Sequence, residues 1–226
     1  MRMVRTAAKA LAGIALVPGL LAAQAAGSAS TSNFNDSWFW GVNGGVMMFT
    51  AGTGSDVSVT APTVGGEWLI TRTRIALRLS IQQAFFDEQG GLRDTTVPGG
   101  IRPVSVTDWR RYAAEMLFIP AAYGDLRPYG GLGLSLNVLR DAFPTGGFTS
   151  EAAADSAFAL VEERGTRAAI SFIAGAQLNV GRAGLFVQGN AMPTRNRFLF
   201  NRSHYTFMLE GGIRYNFGSA IEKFLP

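Results

Sequence analysis

The sequence predicts an all-β protein: one membrane-crossing barrel of eight antiparallel strands in up-and-down order. Three observations carry this. Only 16% of the residues are charged, where a soluble domain is nearer about a quarter. Yet beyond the first 25 residues no run of about 20 apolar residues would cross a membrane as a helix. Finally, apolar residues alternate with polar or small ones through eight segments, joined by connections that alternate short and long. A chain short of charge and without helical spans has one other way to close its backbone hydrogen bonds in lipid, the closed barrel. A soluble sandwich, with a second sheet over every apolar face, is the alternative reading.

The 226 residues suit a single domain. There is no cysteine, which excludes disulfides, zinc–thiolate sites and thiol nucleophiles. The net charge of +4 owes three units to Arg2, Arg5 and Lys9, so the rest is close to neutral and gives no nucleic-acid signal. Residues 1–25 have the build of a secretory signal: that basic start, an apolar stretch over about 10–23, and Ala23-Gln24-Ala25 as the cleavage site. A polar linker over 26–37 leads to a barrel over 38–217, and 218–226 form a short tail.

Strand one covers about 38–50: Trp38, Trp40, Val42, Val46 and Met48 share a face opposite Gly41, Asn43 and Gly45. Strand two, about 63–71, points Val64, Trp68 and Ile70 out and Glu67 in. The stretch 57–61 alternates in the other phase, so a bulge is expected at Pro62. Strand three, about 74–86, is the most regular, with Ile75, Leu77, Leu79 and Ile81 against Arg74, Arg78, Ser80 and Gln82. Strand four, about 108–119, sets Tyr112, Ala114, Met116 and Phe118 against Arg111, Ala113 and Glu115. Strand five, about 127–139, sets four leucine or valine residues against Gly131, Gly133, Ser135 and Asn137. Strand six, about 167–180, opposes Ile170, Phe172 and Leu178 to Ser171, Gly175 and Gln177. Strand seven, about 184–192, opposes Leu185 and Val187 to Gln188 and Asn190. Strand eight, about 205–217, opposes Tyr205, Phe207, Leu209 and Ile213 to Thr206, Glu210 and Arg214.

Short turns fall near 72–73, 123–125 and 181–183, and the longest loop spans 140–166. Short turns belong in the periplasm, so both termini are expected there. Aromatics gather at the strand ends. Trp38, Trp40, Trp68, Phe118, Tyr129, Tyr215 and Phe217 lie by the turns, and Phe85, Tyr112, Tyr205 and Phe207 by the loops. This is the pattern of interfacial belts.

Three glycine–aromatic stretches, Gly211-Gly212-Ile213-Arg214-Tyr215-Asn216-Phe217, Arg127-Pro128-Tyr129-Gly130-Gly131-Leu132-Gly133 and Trp40-Gly41-Val42-Asn43-Gly44-Gly45, resemble the strands of small outer-membrane β-barrel proteins. The resemblance covers about 38–217 and implies the outer membrane of a Gram-negative envelope. It also implies a closing aromatic read by the barrel-assembly machinery, here Phe217, with Phe224 in the tail as a rival. It implies an architecture and no particular activity.

Eight strands leave room inside for side chains only. Parity turns Glu67, Arg74, Arg78, Arg111, Glu115, Glu210 and Arg214 inward, where they are expected to pair. The expected result is a plugged lumen, with a narrow gated channel as the alternative. Arg93, Arg102, Arg110, Arg140, Arg195, Arg197 and Arg202 lie in or near the long loops and suit contacts to lipopolysaccharide phosphates. Alanine and glutamate over 151–163, with Thr149 or Ser150 as cap, predict a short helix over the barrel mouth.

The one histidine, His204, neighbours Ser203, with Glu210 further along strand eight. Sequence neighbours on a strand face opposite ways, so a catalytic pair is not expected. A lipid-modifying enzyme remains the third reading, behind an envelope or surface-interaction barrel and a channel. No metal site, cofactor site or nucleic-acid site is expected, and the barrel is expected to be a monomer.

Overall fold

The computed structural model describes residues 34–51, 57–193, 199–200 and 205–220. The leader, Phe224, Arg195, Arg197, Arg202, Ser203 and His204 lie outside the described residues. Nine strands and one helix follow in order: β1 Ser37–Ala51, β2 Val57–Thr71, β3 Ile75–Arg93, β4 Ile101–Phe118, β5 Leu126–Arg140, β6 Phe143–Pro144, α1 Glu151–Gly165, β7 Thr166–Val180, β8 Ala183–Pro193 and β9 Tyr205–Ser219. Eight of the strands are barrel staves. The two-residue β6 lies on the free edge of β4, with Pro144 opposite Val104.

Every stave pairs antiparallel with its neighbour in sequence, and the first pairs with the last. Ser37–Met48 run against Phe207–Ser219, and that seam closes the sheet. Closure leaves no open edge among the eight staves. The seam is tight. A methyl group on Gly45 would meet the Leu209 carbonyl, and one on Gly212 would meet the Val42 carbonyl. Only glycine lets the strands curl this sharply.

The outer wall carries the expected belt. Val42, Val64, Met116, Leu132, Leu134 and Val187 are each more than half exposed, and Trp40 stacks on Trp68 with ring centroids 5.4 Å apart. No described helix is long and apolar enough to cross a membrane.

Four details differ from expectation. First, β2 shows no bulge at Pro62. Its register to β1 runs unbroken from Ile70 to Val57, with Val59 and Ala61 buried inside. The change lies in the lumen, which turns from polar to apolar at that level. Pro62 instead marks where the β2–β3 ladder stops, at Thr63 opposite Ala84, a place where its missing N–H costs no bond.

Second, β3 and β4 run on as a hairpin to Arg93 and from Ile101, well past the expected ends. A β-bulge between Phe85 and Glu88 re-aims the β3 arm. Third, Tyr129 leaves the outer belt and turns inward, 5% exposed, where its hydroxyl donates to Gln188 Oε1 at 2.8 Å. Fourth, Arg74 is not a lumen residue. It falls in the turn that Arg72 N→Ile75 O closes at 2.7 Å, ahead of β3, and is exposed.

Helix α1 forms as expected and runs two residues longer. Ser150 caps it, accepting the Ala153 N–H at 3.2 Å. Ala157 and Val161 on its buried face join the apolar cluster at the loop end of the barrel.

Candidate functional site

Inside the barrel three layers stack along the axis. At the turn end Phe34, Phe39, Leu69, Ala76, Leu117, Ile119, Tyr129 and Ile173 form an apolar floor. Phe34 and Asp36 belong to the linker, whose end folds under the barrel: Thr71 Oγ1 donates to the Phe34 carbonyl, and Asp36 pairs with Arg72 at 3.2 Å. At the loop end Met47, Phe49, Val59, Ala61, Ala84, Trp109, Met192, Met208 and Phe200 form an apolar ceiling. The ring of Phe49 touches Phe86, Trp109 and Phe200 with centroids 4.9–5.4 Å apart.

Between floor and ceiling lies the charged layer. It holds three arginines and three glutamates of the seven charges that parity placed inward, all buried. Arg78 is the hub. Its Nε donates to Glu67 Oε2 at 2.7 Å, Nη1 pairs with Glu115, and Nη2 lies 3.6 Å from Glu210. Arg111 donates to Glu115 Oε1 at 2.6 Å and to Gln82 Oε1 at 3.0 Å. Arg214 pairs with Glu67, donates to Gln177 Oε1 at 2.7 Å, and lies 3.8 Å over the Phe186 ring.

Glu210 Oε2 also takes two amides, while its Oε1 has no hydrogen-bond partner among the described residues. Gln188 Nε2 donates to Oε2 at 3.0 Å and Asn190 Nδ2 at 2.9 Å. Ser171 bridges Arg111 and Glu115, accepting from one and donating to the other at 2.6 Å each. Three arginines and three glutamates face one another, so the formal charges of the layer balance, which limits the cost of burying them. Parity had already put Gln82, Ser171, Gln177, Gln188 and Asn190 inside. Counting charges alone missed that they are members of the network.

At the loop end the predicted arginines divide. Arg93 and Arg140 are exposed. Arg110 sits on the outer wall between Asp108 and Tyr112, half-buried, donating to Gln83 Oε1 at 2.8 Å. Arg102 is not available to lipid phosphates. It is fully buried, paired with Asp94 at 2.6 Å, and it donates to the carbonyls of Thr145 and Gly147 at 3.2 and 3.1 Å. The cause is the longer hairpin, which makes Arg102 part of a β4 arm and turns it inward with Val104 and Val106. The Thr96 hydroxyl and the Arg102 guanidinium hold the Asp94 carboxyl down at about 2.

No family model matches the chain, and no curated protein matches it. Among solved structures it is similar to Neisserial surface protein A, with a TM-score of 0.50 and 12% identity over 80% of this chain and 97% of that one. The protein is an eight-stranded β-barrel of the outer-membrane type. Weaker likenesses of the barrel are to OprG from Pseudomonas aeruginosa (TM-score 0.43, 11% identity, 82% and 98% covered) and to Ail of Yersinia pestis in complex with the heparin analogue sucrose octasulfate (0.40, 13%, 79% and 99%). The barrel thus carries an apolar belt on its outer wall, encloses a layer of three arginines and three glutamates, and places α1 at its loop end.

Proposed function

We propose that this barrel is a non-enzymatic envelope protein that acts through its loop-end surface and conducts nothing through its lumen. The observation that supports this is the sealing of the charged layer between two apolar layers. An ion would have to leave water, cross the ceiling of Trp109, Phe49 and Phe200, and displace an ion-paired arginine.

Arg93, Arg110 and Arg140, with Arg195, Arg197 and Arg202 from the loop beyond β8, are the proposed contacts to lipopolysaccharide phosphates. Arg110 fits this best. It lies on the outer wall of β4, two residues toward the loop end from Tyr112, where an arginine stem lies along an apolar face and its head can reach outward. Phe217, exposed near the end of β9, is the proposed aromatic for the assembly machinery. The barrel is proposed to be a monomer.

Planar-bilayer recording of the purified protein tests the reading. Silence is expected. Stable channels that vanish in Arg78→Ala would replace it with a gated pore. Lipid A deacylation lost in His204→Ala membranes would replace it with an enzyme.

A further inference from the structure

Arg102 does more than fill space under the hairpin. Its guanidinium, fixed by Asp94 and two carbonyls, lies 4.2 Å over the ring of Phe148. Phe148 in turn stacks on Phe158 of α1, with centroids 6.2 Å apart and planes 29° off parallel. This chain of contacts ends at the surface. Phe158 is 47% exposed, and Phe143 on the adjoining β6 is 55% exposed. A buried, fully bonded cation therefore holds an aromatic ring in place at the water boundary.

The surroundings of Phe158 are acidic. Asp155 stands three residues before it, Glu162 four after and Glu151 seven before, the spacing of one helix stripe, and all three are exposed. We propose that Phe158, backed by Phe148 and flanked by Asp155 and Glu162, docks a cationic amphipathic peptide segment, one that brings an apolar anchor between lysines or arginines. An immobilised ring loses little further freedom on binding, which suits it to be an anchor point. The carboxylates attract basic side chains and repel lipid phosphates and acidic glycans. The inference rests on the surface-interaction reading and names a partner class for it.

The test uses the full barrel in neutral phosphatidylcholine nanodiscs, titrated with a fluorescent helical peptide of lysine and leucine. A counterpart with glutamate in place of lysine is the control. Binding of the lysine peptide, weakening as salt rises, is expected. Phe158→Ala should weaken it about tenfold or more. Asp155→Asn with Glu162→Gln should weaken it about three- to tenfold at low salt and flatten the salt dependence. Phe158→Tyr should bind as the parent does, and a shared heat-modifiable gel shift shows that all variants are folded.

Equal affinity in Phe158→Ala, capture of the glutamate peptide, or no binding at about 1 mM overturns the proposal. Cells carrying a barrel with residues 141–165 replaced by a short turn separate the two ideas. An envelope phenotype there with no peptide binding leaves the surface reading standing. Silence there as well removes it.

Discussion

Arg78 and Glu115 stand directly opposite one another in the β3–β4 ladder and are bonded inside the barrel. A slip of one residue between these strands would keep one of the two facing the lumen and turn the other to the outer wall, leaving both unpaired. The pair thus ties strand register to the solvation of two charges. Replacing Glu115 with Gln leaves three arginines facing two glutamates. We expect it to destabilise the barrel by about 3–5 kcal/mol in urea unfolding from detergent. Arg78→Met with Glu115→Leu, which removes both partners, should cost less than Glu115→Gln. A larger loss in the double variant would contradict this account.

The closing seam makes a second prediction. Gly212→Val places side-chain atoms on the Val42 carbonyl, and Gly45→Val places them on the Leu209 carbonyl, both backbone atoms that cannot swing aside. Either variant should fail to close, and its unboiled and boiled samples should run alike on a gel. Gly147→Ala, in open space on the loop, should keep the shift between them.

The ceiling makes a third. Trp109→Ala removes a fully buried indole and its bond to Asn137 Oδ1 at 3.1 Å. A loss of about 3–5 kcal/mol is expected by the same unfolding assay. The bilayer should nonetheless stay silent, because the charged layer below is intact. Conductance from this variant alone would place the seal in the ceiling and not in the ion pairs.

A fourth concerns pH. The folded-state carboxyl of Asp94 lies at about 2, below its ordinary value, so its contribution is complete above about pH 4 and disappears as pH falls toward 2. The hairpin tip should therefore resist a protease at pH 5 as it does at pH 7. An acid-active protease should cut near 94–102 only as pH drops from about 4 to 2. Asp94→Asn should be cut across the whole range.

Much of this barrel could be read from period-two alternation. Leu77, Arg78 and Leu79 announce their faces without help, because lipid and lumen differ so sharply there. The failures share a cause. Alternation reports a contrast between faces, and near the loop end the lumen becomes as apolar as the outside. Val59 and Ala61 then resemble a phase change although the strand continues. Arg74 and Arg102 show the same limit at strand ends, where a turn releases one arginine and a longer hairpin encloses the other. Tyr129 was ambiguous for a chemical reason: a phenol suits a membrane interface and a hydrogen-bonded interior equally well.

One pair in the charged layer bears on how the protein is made. Glu67 comes from the second stave and Arg214 from the last, 147 residues apart, and they meet only after the chain's end has wrapped round to its beginning. Until then Glu67 lacks its bond to Arg214, and a partly wrapped sheet that entered lipid would carry that deficit with it. The pair therefore acts as a completion check. Glu67 gains its full set of partners only once the first and last staves have met.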